Sequence, residues 1–316
     1  MGAVTGDIGA IGFYGRGLQR AECVLATASG RIFTSDKRGG VMVIEAEGRQ
    51  QLRGTSAMVP NGIALQRDGS FLIANLGADG GVWEMDAQGN ARPWLMEFEG
   101  KQLPRVNFVT TDAQDRTWIC VSATDTDEHY PVDAATGYIL LQDKSGTRLV
   151  ADGMRYTNEV RLSADGQSMY VNETFGRCLS RLRIGADGVL RQRETVAEFD
   201  AGDFPDGMAL DAQGGVWVVC VGSNRVYRVT EDGQRHTIID DSRPEVVDRL
   251  EKALVARELT RPMLSAASGK RLKNITSLAF GGPDLRTAYM GSLAGDSLAV
   301  FRSPVAGLPL AHWHWG

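Results

Sequence analysis

Six times along this chain an alternating apolar run meets a tight turn of Gly, Asp or Ser, and a second alternating run follows. The segments read Glu22-CVLATASGRIFTSD, Asn61-GIALQRDGSFLIAN, Asn107-FVTTDAQDRTWICV, Asn158-EVRLSADGQSMYVN, Asp206-GMALDAQGGVWVVC and Thr276-SLAFGGPDLRTAYM. Each is the pattern of a β-hairpin. Successive starts are separated by 39, 46, 51, 48 and 70 residues, mostly the length of a four-stranded propeller blade. The expected fold is therefore all-β, a six-bladed β-propeller that uses residues 1–316 as one domain.

In five of the six segments a Glu, Asn or Asp, each with a carboxylate or amide oxygen, stands first. The innermost strand of every blade lines the central channel, so residues at one register converge on the axis. Glu22, Asn107, Asn158 and Asp206 are expected to meet there. Two carboxylates and two amides make a hard, partly anionic oxygen cage, suited to Ca²⁺ and less well to Mg²⁺ or Mn²⁺. Asn61 shares the register and is expected to support the cage or form a turn, and Asn75 is a weaker candidate.

Net charge is −5 with both signs mixed along the chain and no basic stripe, which argues against a nucleic-acid partner. The opening MGAVTGDIGAIGFYGRGLQR lacks a charged start followed by an apolar core, and no apolar run is long enough to span a bilayer. No membrane partner is expected, a cytoplasmic location is the default, and monomer and homodimer stay open. Cys23, Cys120, Cys178 and Cys220 are far apart without a CxxC pair, so buried free thiols are expected.

Residues 242–272 break the rhythm between the fifth and sixth repeats. Val246, Val247, Leu250 and Leu254 fall at helical spacing, and Pro244 suits a first helical turn. A helical insertion is expected, capping the channel mouth, covering a blade edge or joining two subunits. GxSxG, HExxH, Walker-type and GxGxxG patterns are missing. His312 and His314 sit in the terminal HWHWG, where a packing tail is expected.

The phrases YTNEVRLSADGQSMYVNET, FPDGMALDAQGGVWVV and ITSLAFGGPDLRTAYMGSL resemble the senescence-marker-protein, regucalcin and gluconolactonase family of six-bladed propellers. The likeness runs from about Glu22 to the last strand, with the motifs in order. It implies a metal-dependent hydrolase acting on a small lactone or ester, with one divalent ion: Ca²⁺ first, then Mg²⁺, Mn²⁺ or Zn²⁺. It also implies that Glu22, Asn158 and Asp206 hold the metal, that Asn107 places substrate or completes the metal shell, and that Arg105 matches the family's arginine two positions earlier.

Two departures stand out, because Phe108 replaces the Asp that commonly follows the Asn, and Glu159 replaces a Gly. Together with Tyr156, Phe175 and Phe204, Phe108 suggests an aromatic mouth and a substrate with an apolar body, against the alternative that these rings pack between blades. In the expected mechanism Asp206 is the general base, Arg105 holds a carboxylate or the oxyanion, and Asn107 orients the ester oxygen. His129, beside Asp125, Asp127 and Glu128, is either an acid or base at the mouth or a solvated loop residue. An aryl-ester hydrolase or lyase on the same scaffold, and a binding propeller merely braced by an ion, are the rival functions.

Overall fold

The computed structural model of the chain describes residues 10–122 and 129–316. It contains six four-stranded antiparallel sheets and one two-stranded hairpin, Glu97–Phe98 with Lys101–Gln102. Five sheets follow chain order, with innermost strands Val24–Ala26, Pro60–Leu65, Val106–Thr111, Thr157–Leu162 and Asp203–Leu210. The sixth runs outward from Ile275–Gly281 and takes its outermost strand, Gly12–Tyr14, from the other end of the chain, pairing Gly12 with Val300. Neighbouring inner strands touch around the ring, and the sixth touches the first. The six-bladed propeller expected from the repeats is thus the observed fold, closed by an N-terminal strand too short to carry a sequence signal.

Hairpin chemistry repeats with the sequence. In Asp112-AQDRT-Trp118 and Asp211-AQGGV-Trp217 the Asp accepts turn amides through Oδ1, from Gln114 and Arg116 and from Gln213 and Gly215. Through Oδ2 it accepts the indole N–H of the Trp, at 3.0 Å and 2.9 Å. Arg228 Nε adds a 2.6 Å contact to Asp211. One buried carboxylate thus ties the turn, the second strand and the third, so Asp211→Ala would orphan the Trp217 N–H and the Arg228 guanidinium. We expect a loss of about 2–4 kcal/mol in urea unfolding; a loss under about 1 kcal/mol would show that water replaces these bonds.

The insertion between the fifth and sixth blades forms α1, Pro244–Val255, and α2, Arg261–Ser265. Val246, Leu250, Ala253 and Leu254 bury one face of α1 with Tyr130, Tyr156, Phe175, Phe204 and Val221. Glu251 accepts from Arg177 Nη1 at 2.8 Å and from the Gly202 amide at 2.9 Å, anchoring α1 to neighbouring loops. Asn274 fixes α2 by accepting from Gly222 N at 2.8 Å while its Nδ2 donates to Leu264 O, also at 2.8 Å. At the C-terminal tail Trp313 is buried, and Trp315 packs edge-on against Phe33 with Arg31 over its ring. The four cysteines are buried and free. Among the described residues no helix is long and apolar enough to cross a membrane.

Candidate metal and substrate site

The inner strands of the second to sixth blades share one irregularity. Pairing slips between Pro60 and Ile63, Val106 and Phe108, Thr157 and Val160, Pro205 and Met208, and Ile275 and Leu278. Each slip is a bulge, which re-aims the side chain it carries, and the slips bracket Asn61, Asn107, Asn158, Asp206 and Thr276. Glu22 enters from just ahead of the first inner strand. Glu22, Asn61, Asn107, Asn158 and Asp206 are all buried and line one cavity of about 40 Å³. The four expected cage residues are therefore brought together.

Their bonds assign the parts. Asn61 Nδ2 donates to Glu22 Oε1 at 3.2 Å and to Asn107 Oδ1 at 3.0 Å, so Asn61 braces two cage members. Arg20 Nη2 in turn donates to Asn61 Oδ1 at 2.7 Å, which fixes the amide orientation. Asn158 Nδ2 donates to Thr174 Oγ1 and Thr174 to Pro205 O, both at 2.8 Å. Asn172 Nδ2 holds the Asp206 carbonyl at 2.8 Å.

Burial raises the Asp206 carboxyl well above its usual range, and repulsion from Glu22 and Glu159 adds to this, while Arg20 and an Asn158 hydrogen bond oppose it. Burial likewise raises Glu22, where Arg20 and Asn61 pull the other way. Two buried carboxylates that repel one another are costly unless a cation joins them. That donor set fits a hard divalent ion. Among the described residues no group of three or more His, Cys, Asp and Glu forms a metal site, because half of this cage is amide.

Other expected site residues fall elsewhere. Tyr156 lines the cavity with Phe175 and Tyr130, and these three rings also pack together with centres 4.8–5.7 Å apart, Tyr156 edge to face with the other two. Phe204 is wholly buried beneath them. Phe108, expected at an aromatic mouth, is not there. It is buried in the core with the Arg161 guanidinium 4.8 Å from its ring centre, and a Cβ on Gly62 of the neighbouring inner strand would collide with that ring at 2.6 Å. Glu159 also points away from the cavity, pairing with Arg161 at 2.6 Å.

Arg105 stands just outside the inner strand Val106–Thr111, is half-buried, and is not among the lining residues. Arg20 and Arg261 are the guanidinium groups that line the cavity. His129 is exposed and does not line it, and Asp125, Asp127 and Glu128 lie outside the described residues. Arg20, Thr174, Arg261, Leu264 and Ser265 were missed by repeat reasoning because they belong to loops and the insertion. A larger groove of about 670 Å³ lies beside the C-terminal tail. Its charges already answer one another, Arg67 to Asp115 at 2.8 Å and Asp112 to Arg116 at 2.7 Å.

Fold and cavity together define a six-bladed propeller with an oxygen-lined site where its inner strands converge. Residues 72–244, more than half of the chain, match the SMP-30/gluconolactonase/LRE-like region, and the chain belongs to that family. It is 27% identical over 232 residues to a 6-deoxy-6-sulfogluconolactonase of Pseudomonas putida, covering 72% of this chain and 67% of the relative. A pentonolactonase of Haloferax volcanii is 27% identical over 239 residues, with 74% and 67% covered. The fold superimposes on regucalcin from Agrobacterium tumefaciens, described as a calcium-binding protein, with a TM-score of 0.68, 19% identity and 98% of each chain covered.

Proposed function

We propose that this protein is a divalent-metal-dependent lactonase that opens a small cyclic ester. What carries the reading is the convergence, from four blades, of Glu22, Asn107, Asn158 and Asp206 on one cavity, with two of them carboxylates raised by burial. Lactonases of Pseudomonas putida and Haloferax volcanii among its relatives support the chemistry. The calcium-binding propeller of the same fold supports Ca²⁺ as the ion.

Glu22, Asn158 and Asp206 would hold the cation, and Asn107, braced by Asn61, would orient the ester or complete the shell. When bound, such an ion polarises the ester carbonyl and eases deprotonation of water. Asp206 takes the proton from water as its oxygen adds to the carbonyl carbon. The ring C–O bond then breaks, and Asp206 returns the proton to the departing alkoxide, leaving a hydroxy acid. The aromatic wall of Tyr130, Tyr156 and Phe175 keeps an ester with an apolar body as a second reading.

A cavity of 40 Å³ has room for an ion with a water or two, far below the roughly 300–1,000 Å³ of a usual ligand pocket. Turnover in this reading therefore needs the roof over the cage, Tyr130 and α2, to shift. Dialysis against a strong chelator should reduce hydrolysis of small lactones to background, and Ca²⁺ should restore it. Activity indifferent to chelation would sink the metal requirement.

A further inference from the structure

We propose that Thr174 is a positioning residue for the cage: its hydroxyl turns the Asn158 amide so that Oδ1, not Nδ2, is offered to a cation, and it also holds the backbone that carries Asp206. This rests on the metal reading above. Thr174 follows the second strand of the fourth blade, Ser168–Glu173, and is buried at the cavity wall.

Counting protons fixes the amide. A threonine hydroxyl has one proton to give. Pro205 O lies 2.8 Å from Thr174 Oγ1 and, as a carbonyl, can only accept, so it takes that proton. Asn158, also at 2.8 Å, must then be the donor, and in an amide only Nδ2 donates. Oδ1 is left as the branch available to a cation. An amide turned the other way would present N–H protons to an ion that takes oxygen ligands. The Asp206 carboxyl also draws a bond from the Asn158 side chain. A bound cation would claim that carboxyl, whereas the bond to Thr174 survives ion binding and keeps Nδ2 turned away.

The same blade grips the slip that aims Asp206. Thr174 holds Pro205 O, and Asn172 Nδ2 donates to Asp206 O at 2.8 Å and to Gly207 O at 3.3 Å. Met208 N donates to Glu159 Oε1 at 3.2 Å. Four successive residues of the fifth inner strand thus rest on side chains of the fourth blade, which fixes a bulge that would otherwise be free to re-aim its carboxylate. Ser122 supplies the comparison. It follows the second strand of the third blade, Thr117–Val121, and donates to Thr157 O at 2.9 Å. That bond docks one blade on the next, but among the described residues it holds no cage side chain.

The test compares wild type with Thr174→Val and Thr174→Ala, which remove the hydroxyl, Thr174→Ser, which keeps it, and Ser122→Ala, which removes only the docking bond. Ca²⁺ is titrated calorimetrically into each chelator-stripped protein. Both hydroxyl-free variants should bind about 10–100-fold more weakly, the usual cost of losing a group that orients a metal ligand, while Thr174→Ser and Ser122→Ala stay close to wild type. The Asn158 side-chain amide, followed by NMR and identified by its loss in Asn158→Asp, should have a proton that exchanges with solvent more slowly in wild type and Thr174→Ser than in the hydroxyl-free pair. Rapid exchange of both protons in wild type would overturn the proposal even if no variant folds. An unchanged amide signal in Thr174→Val, an equal loss of affinity in Ser122→Ala, or no rescue by Thr174→Ser would overturn it too. If wild type binds no divalent ion, the metal reading fails and the amide signal alone judges Thr174.

Discussion

Asp206→Asn should cut turnover by orders of magnitude and at the same time make the metal-free protein harder to unfold. The two effects have one cause. Asp206 is buried beside Glu22, and its carboxyl is raised by burial first and by that neighbour's charge second. In the absence of a cation the folded state must confine two repelling carboxylates, or carry protons on them, and either is a cost that the unfolded chain avoids.

An amide of the same shape removes the repulsion, and its Oδ1 can still accept from Asn158. We expect a gain of about 1–3 kcal/mol for the metal-free variant. The same change removes the proposed base and one anionic metal ligand, so the rate should fall by about 10²–10⁴. Thermal unfolding with and without Ca²⁺ checks both halves. Wild type should be stabilised by the ion, by about 2.7 kcal/mol at a hundredfold excess over Kd, and the variant far less. A variant with near-normal turnover would remove Asp206 from the mechanism, and a less stable metal-free variant would show that the carboxylate is held by bonds rather than strained by charge.

Phe108→Ala costs about 3–5 kcal/mol of folding stability. The ring is buried in the core, against Gly62 of the neighbouring inner strand and under Arg161. Its removal leaves a void that the glycine-lined wall cannot refill. Phe108→Asp should be worse, since it would bury a carboxylate near Glu159, whose own carboxyl burial already pushes up to about 7. Neither substitution should act through substrate choice, contrary to what its place after Asn107 in the sequence suggests. Urea unfolding of Phe108→Ala and a substrate panel on Phe108→Leu test this. A cost below about 1 kcal/mol, or a reordered panel in the Leu variant, would return the ring to the mouth.

The contrast between Asn107 and Phe108 marks where repeat reasoning stops. Six hairpins in equivalent positions point to a ring, and a ring sends one register to one axis, so Glu22, Asn107, Asn158 and Asp206 were legible together. The side of the strand taken by the next residue was not. Alternation assigns faces only while the ladder is regular, and each of these strands slips at the cavity-lining residue itself. Phe108 and Glu159 therefore pack into the core and not into the cavity, and Arg105, outside its strand, does not reach the cavity either.

The chain by itself determined the blade count, the oxygen cage and the helical insertion, because each is written as local periodicity: two residues in strands, helical spacing in α1, one hairpin per blade. Only the tertiary structure decided that Gly12–Tyr14 closes the sixth blade, that Asn61 braces the cage, and that Arg20 and Arg261 face it from opposite ends of the chain. Those contacts join residues up to hundreds of positions apart. No local pattern encodes them, since ring closure alone brings the segments together.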